Sequence, residues 1–235
     1  MIVFAAIAPH GDVGELRPAL EELGRRFEAA SPDTTVVVTP HTVHVERHFA
    51  VVTAARVGEW ECDRDVAQAL LAADLPILGV SYGGNDPAQA GMPLDWGTAV
   101  PLEFLRAKRI VVVSPARDLP LELHLKLGES LASNSLLQAR RIALVASADH
   151  AHAHDPSGPY GFDPAAARYD GLLQEILGSR RLDFLPLAEH VEAAKADSLW
   201  QLLVLQGAMG EDARADLLAY GAPTYYGMAV AEVSA

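Results

Sequence analysis

Ile2-Val3-Phe4-Ala5-Ala6-Ile7-Ala8-Pro9-His10, Thr35-Val36-Val37-Val38-Thr39-Pro40-His41 and Arg141-Ile142-Ala143-Leu144-Val145-Ala146-Ser147-Ala148-Asp149-His150-Ala151-His152 follow one pattern: an apolar run, a Pro or Asp, then histidine. Runs of Val, Ile and Ala closed in this way read as buried strands. In α/β sheets, ligands and catalysis gather at the carboxyl ends of the strands. Nine histidines are present, at 10, 41, 44, 48, 124, 150, 152, 154 and 190, and most of them follow these runs. Imidazole at a strand end suits Fe(II) or Zn, so the pattern predicts a metal site assembled from loops. Local capping or hydrogen bonding competes as an explanation for any single histidine. Three strand ends decorated alike favour the metal.

Outward from these runs, strand-like and helix-like segments alternate. Leu16, Leu20, Leu23 and Phe27 recur at helical spacing within 15–29. Further helices are expected over 63–73, 99–106, 119–135, 163–177, 188–196, 197–209 and 212–220. Strands are expected over 49–55, 75–81, 109–114 and 226–233, with a turn at Tyr82-Gly83-Gly84-Asn85-Asp86. Asp163 followed by Pro164 is a strong helix-start signal. With no repeat, linker or low-complexity tract, residues 1–235 are expected to form one α/β domain. Its central twisted sheet, mostly parallel or mixed, should carry helices on both faces.

The composition excludes several function classes. The chain has 235 residues, half of them hydrophobic, enough for a sizeable core. No apolar run approaches the ~18 residues of a membrane span, and the N-terminus lacks the basic region of a signal peptide. Net charge is −13, and no basic cluster exceeds Arg140-Arg141 or Arg180-Arg181, which argues against nucleic acid as a partner. The one cysteine, Cys62, fits a reducing cytoplasm, and its flanking acids argue against a thiolate nucleophile. No GxGxxG, GxxxxGK[ST] or GxSxG pattern occurs, so nucleotide binding and serine hydrolysis are unsupported.

Five segments taken in order are more specific than any one of them. They are Ala8-Pro9-His10, Thr39-Pro40-His41, Leu94-Asp95-Trp96-Gly97-Thr98-Ala99-Val100-Pro101-Leu102, Ala146-Ser147-Ala148-Asp149-His150-Ala151-His152 and Gly158-Pro159-Tyr160-Gly161-Phe162-Asp163-Pro164. Together they resemble the class III extradiol ring-cleavage dioxygenases, the family of the catalytic β subunit of protocatechuate 4,5-dioxygenase, with the Memo-like proteins as a non-oxygenase branch. The likeness runs from His10 to Gly207-Ala208. It implies a mononuclear non-haem Fe(II) held by two histidines and an acid, matching His10, His41 and Asp197, with Zn or another divalent ion as the alternative. It also implies a small aromatic diol and O2 as substrates, and either a homo-oligomer or a small second subunit as quaternary partner. The family places Glu where this chain has Asp197, and Memo-like proteins place Cys there. Asp197 also suits a helix N-cap.

By the same resemblance, His152 ends the segment that carries the family's acid–base histidine. A side chain titrating near neutrality can take a proton from a phenol and return it later. Asp149 is expected either to orient an imidazole or to form a turn. Trp96 stands where the family has a second histidine, and Trp96, His150 and Tyr160 are candidate substrate contacts. His44 is the alternative second ligand, and His44 and His48 are candidates for the pocket rim. His124 and His190 read as packing or surface residues. Two other functions fit the same residues: a Memo-like redox, metal-carrying or interaction protein, and a zinc-dependent hydrolase.

Overall fold

The computed structural model describes residues 1–235. Its strands are β1 Ile2–Ala8, β2 Thr34–Val38, β3 Phe49–Val52, β4 Arg56–Val57, β5 Trp60–Cys62, β6 Ile77–Val80, β7 Gly91–Met92, β8 Arg109–Ser114, β9 Ile142–Ser147, β10 Arg214–Gly221 and β11 Met228–Ser234. They make one mixed sheet in the order β10-β11-β1-β9-β2-β8-β5-β4-β7, with β3 also paired to β8 and β6 to β3. The central strands β1, β9, β2 and β8 run parallel. Their carboxyl ends therefore share one edge, and the loops bearing His10, His41 and His152 leave from it.

The continuous apolar runs of these strands are explained by burial on both sides. Val36 and Val38 join one hydrophobic core, while Val37 between them joins the other. Leu20, Leu23 and Phe27 of α1 (Arg17–Ala30) pack on the Val37 side. The opposite side is covered by α2 (Arg64–Leu71), by α4 (Leu121–Ser133) and the short α5 (Ser135–Gln138), and by α6 (Pro164–Leu177) and α8 (Leu199–Met209). Short α3 (Trp96–Phe104) adds Leu102 to the Val37 side. Asp163 caps α6 through the Ala165 amide, and Pro164 occupies its first turn.

Helix α8 is buried on nearly all sides. Gly128 of α4 and Gly207 of α8 let the two backbones touch, since a Cβ on either would strike the other helix's main chain. Locked in this way, α8 holds the residues just before it in place. Between α6 and α8 a 3-10 turn, Leu185–Glu189, leads into α7 (Val191–Ala194). Lys195 ends α7 in the left-handed region, φ 55°, and turns the chain toward the sheet edge.

Two expectations need correction. Residues 212–220 form no helix: Arg214–Gly221 is edge strand β10, paired antiparallel with β11. Local preference of Ala and Leu for helix yields to the ladder offered by β11. The stretch 188–196 holds only α7 and part of the 3-10 turn. No helix is long and apolar enough to cross a membrane. Cys62 is buried, and burial, helped by Asp63, pushes its thiol up to about 12.

Candidate metal centre

At the carboxyl edge, one ligating atom each from His10, His41 and Asp197 lies within 4.8 Å of the other two. The loop after β1 carries His10, whose amide donates to Asp149 Oδ1 at 3.0 Å, tying the ends of β1 and β9 together. The loop after β2 carries His41. Asp95, the N-cap of α3, accepts from Thr39 Oγ1 at 3.1 Å and Thr42 Oγ1 at 2.6 Å on either side of it. Trp96 then stacks on the His41 ring, centroids 4.3 Å apart. Asp197 enters from the turn ahead of α8.

The two Nε2 atoms of His10 and His41 are 2.9 Å apart. Imidazole nitrogens ~2.0–2.1 Å from one ion lie roughly 2.9–3.4 Å apart for right-angle to tetrahedral bond angles. Asp197 Oδ2 is 4.0 Å from His41 Nε2 and 3.8 Å from an Arg117 nitrogen, while Oδ1 is buried without a partner. A helix cap would have used that oxygen on a backbone amide. Ser198 instead occupies the cap position of α8, and Asp197 caps nothing. Two imidazoles and a carboxylate with an unused oxygen fit a divalent cation.

The electrostatics agree. Burial pushes the Asp197 carboxyl up to about 8, with the nearby Asp149 charge adding and Arg117 opposing. Burial raises Asp149 to about 7 against hydrogen bonds from the His10 and Gly11 backbone. His10 is held well below its usual value by burial and then by the charges of His41, His152 and His150. His41 is lowered chiefly by burial, partly opposed by Asp95. Neutral imidazoles are the form that ligates.

A cavity of about 350 Å³ opens beside the cluster, lined by His41, His152, Asp197, Arg117, Tyr160 and Trp200 among others. His152 Nδ1 lies 2.8 Å from the His150 carbonyl, which can only accept, so Nδ1 carries the proton and Nε2 keeps its lone pair. Burial lowers the His152 pKa, leaving the ring neutral at pH 7. Tyr160 meets it edge-on at 5.8 Å.

The remaining histidines lie elsewhere. His150 is fully buried and does not line the cavity: its Nδ1 is 2.9 Å from Ser198 Oγ, which also meets Tyr169 OH. Trp96 is outside the cavity as well, covering His41 with much of its own surface exposed. His44 is exposed and not part of the cluster, so the alternative second ligand is not supported. His48 bonds the Glu46 carbonyl, and neither residue lines the cavity. His154 pairs with buried Asp170 at 2.7 Å, and His124 packs against Phe49.

Arg117 is the residue that sequence reading missed. It follows β8, lies over the Trp200 ring at 4.7 Å and is the nearest cation to Asp197. The strand-end rule applied to 109–114 points to its loop, but no histidine drew attention there.

Residues 8–231 match the family described as the catalytic LigB subunit of aromatic ring-opening dioxygenase. No curated protein matches the sequence significantly. Among solved structures, the uncharacterized protein JW3007 of Escherichia coli K12 is similar in fold, with a TM-score of 0.65 at 18% identity over 97% of this chain and 98% of that one. Motif order, sheet edge and family match agree: the chain belongs to the family of catalytic LigB subunits of aromatic ring-opening dioxygenases.

Proposed function

We propose that this protein is a non-haem Fe(II)-dependent dioxygenase that opens a catecholic ring with O2 by extradiol cleavage. The observation carrying the reading is the convergence of His10, His41 and Asp197, two of which line a cavity. These three residues would hold the iron. Held by two histidines and a carboxylate, such an ion would supply open coordination positions and a path for electron density from an aromatic diol to dioxygen.

The chain's own groups supply the rest. Nε2 of His152, with its lone pair free, takes the proton of a catechol hydroxyl and can return it to the opened product. With a cation bound in place of its proton, Asp197 would contribute negative charge that Arg117 partly balances. Trp200, Tyr160 and Val191 give the cavity apolar walls suited to a flat ring.

Anaerobic loading with Fe(II), followed by O2 uptake with a panel of catechols, tests this. Catechol-dependent uptake with a ring-opened product is expected. Iron-loaded protein that consumes no O2 with any catechol would overturn the dioxygenase reading and favour the Memo-like one.

A further inference from the structure

Behind the three converging residues lies a short hydrogen-bond chain. Ser147, the last residue of β9, is fully buried, and its Oγ is 3.0 Å from His10 Nδ1. The same hydroxyl donates to the Gly97 carbonyl in a short hydrogen bond. A serine has one proton, and a carbonyl can only accept. That proton is committed to Gly97, so Ser147 Oγ must accept from His10 Nδ1–H. Nε2 of His10 then carries the lone pair, and Nε2 is the atom facing His41.

Gly97 serves the second imidazole differently. A Cβ at this position would lie 3.1 Å from His41 Cδ2 and 3.0 Å from Asp95 Oδ1, and would collide with Thr39 Oγ1. No hydrogen bond holds the His41 Nδ1 side. Its ring is seated by contact, stacked on Trp96 and with the bare α-carbon of Gly97 near its Cδ2 edge.

We propose that Ser147 and Gly97 are positioning residues for both imidazoles: Ser147 fixes the tautomer of His10, and Gly97 anchors that serine while leaving room for His41. The inference rests on the metal-site reading for its consequence, but not for its geometry. Partners that orient a ligating imidazole typically contribute about 10–100-fold to metal affinity.

The test has two arms. Nitrogen-15 NMR of the metal-free protein reads the His10 tautomer directly. The wild type is expected to hold the proton on Nδ1, and Ser147→Ala to lose that single form. Zn(II) and Co(II) dissociation constants, measured by chelator competition, are expected to weaken about 10–100-fold in Ser147→Ala and Gly97→Ala. Thr35→Val, which deletes a buried unpartnered hydroxyl away from the centre, should stay within about twofold of wild type. Far-UV circular dichroism checks the fold of each variant, and Ser147→Ala carries the test should Gly97→Ala fail to fold.

A wild-type His10 protonated on Nε2, or a Ser147→Ala protein binding both ions as tightly as wild type, would overturn the proposal. Should the wild type bind neither ion, the metal-site reading fails, and the tautomer comparison still decides the role of Ser147.

Discussion

Replacing Asp197 by Asn should stabilise the metal-free protein while abolishing its metal binding. The carboxyl is raised from 3.8 to about 8 by burial. Above pH 4 the folded state therefore keeps a proton that the unfolded state has released. Stability consequently falls as pH rises from about 4 to about 8, and levels off beyond. Each pH unit inside that window contributes ~1.4 kcal/mol. The variant lacks this group, so its advantage over wild type should grow by roughly 2–3 kcal/mol between pH 5 and pH 7. For a chain of this size that is about 5–10 °C in Tm. Comparing the growth, not the absolute difference, removes any fixed effect of the new amide and the titration of groups common to both proteins. Chemical denaturation of both proteins in chelator at pH 5, 6 and 7 measures it. Adding Fe(II) or Zn(II) at pH 7 should then reverse the order, because only wild type gains binding free energy from the ion. An advantage that stays flat from pH 5 to pH 7 would show that Asp197 does not hold its proton, and would refute the electrostatic account of the centre.

Three further outcomes are expected. His152→Ala should retain iron but lose ring cleavage by about 10²–10⁴-fold, the usual worth of a positioned proton-transfer group, whereas His10→Ala and His41→Ala should lose iron and activity together; iron content and O2 uptake in the same samples separate the cases. Trp96→Ala removes an aromatic contact worth ~0.5–1.5 kcal/mol, so metal affinity should fall about 2–10-fold by chelator competition, with the metal-free melting temperature little changed. Asp170→Ala strands the Ala151 amide, the His154 ring and the Tyr220 hydroxyl, all of which donate to it. Denaturant titration should register a loss of about 3 kcal/mol or more.

Which parts of the molecule were legible in its sequence follows from where local and tertiary forces agree. Strands β1, β2, β8 and β9 are covered on both faces, so burial writes a continuous apolar run into each. His10 and His41 stand directly at two of those ends. The start of α6 was legible because Asp163 and Pro164 act within one turn. Strand β10 was not, because its residues favour helix locally and only β11, reached through a separate turn, makes it a strand. Strands β4, β5 and β7 are two or three residues long, too short for any periodicity. Arg117 has no local signature at all: only the arrival of Asp197 from a distant turn gives it a role. Ser147 was visible inside the His152 motif, but its hydroxyl acquires meaning only through the Gly97 carbonyl of α3.

The treatment of buried acids elsewhere in the chain sharpens the case for Asp197. Asp63 is as buried, yet it accepts from Thr34 Oγ1, the Val66 amide and Arg140. Asp170 is buried too, and accepts from a backbone amide, a histidine and a tyrosine. Away from the centre, then, this fold gives its buried carboxylates full sets of donors, as the cost of burying an unpaired charge demands. At Asp197 it leaves one oxygen with no donor, places the second Asp149 charge nearby, and stations Arg117 only at 3.8 Å. Faulty packing does not explain this, because α8 beside it is among the best-packed helices in the molecule, pressed onto α4 through two glycines. A rigid helix that holds an unsatisfied carboxylate against two neutral imidazoles is preorganised for a cation. A bound cation would relieve the penalty, so it would fall on the metal-free state, where the pH dependence of the Asp197→Asn comparison would reveal it.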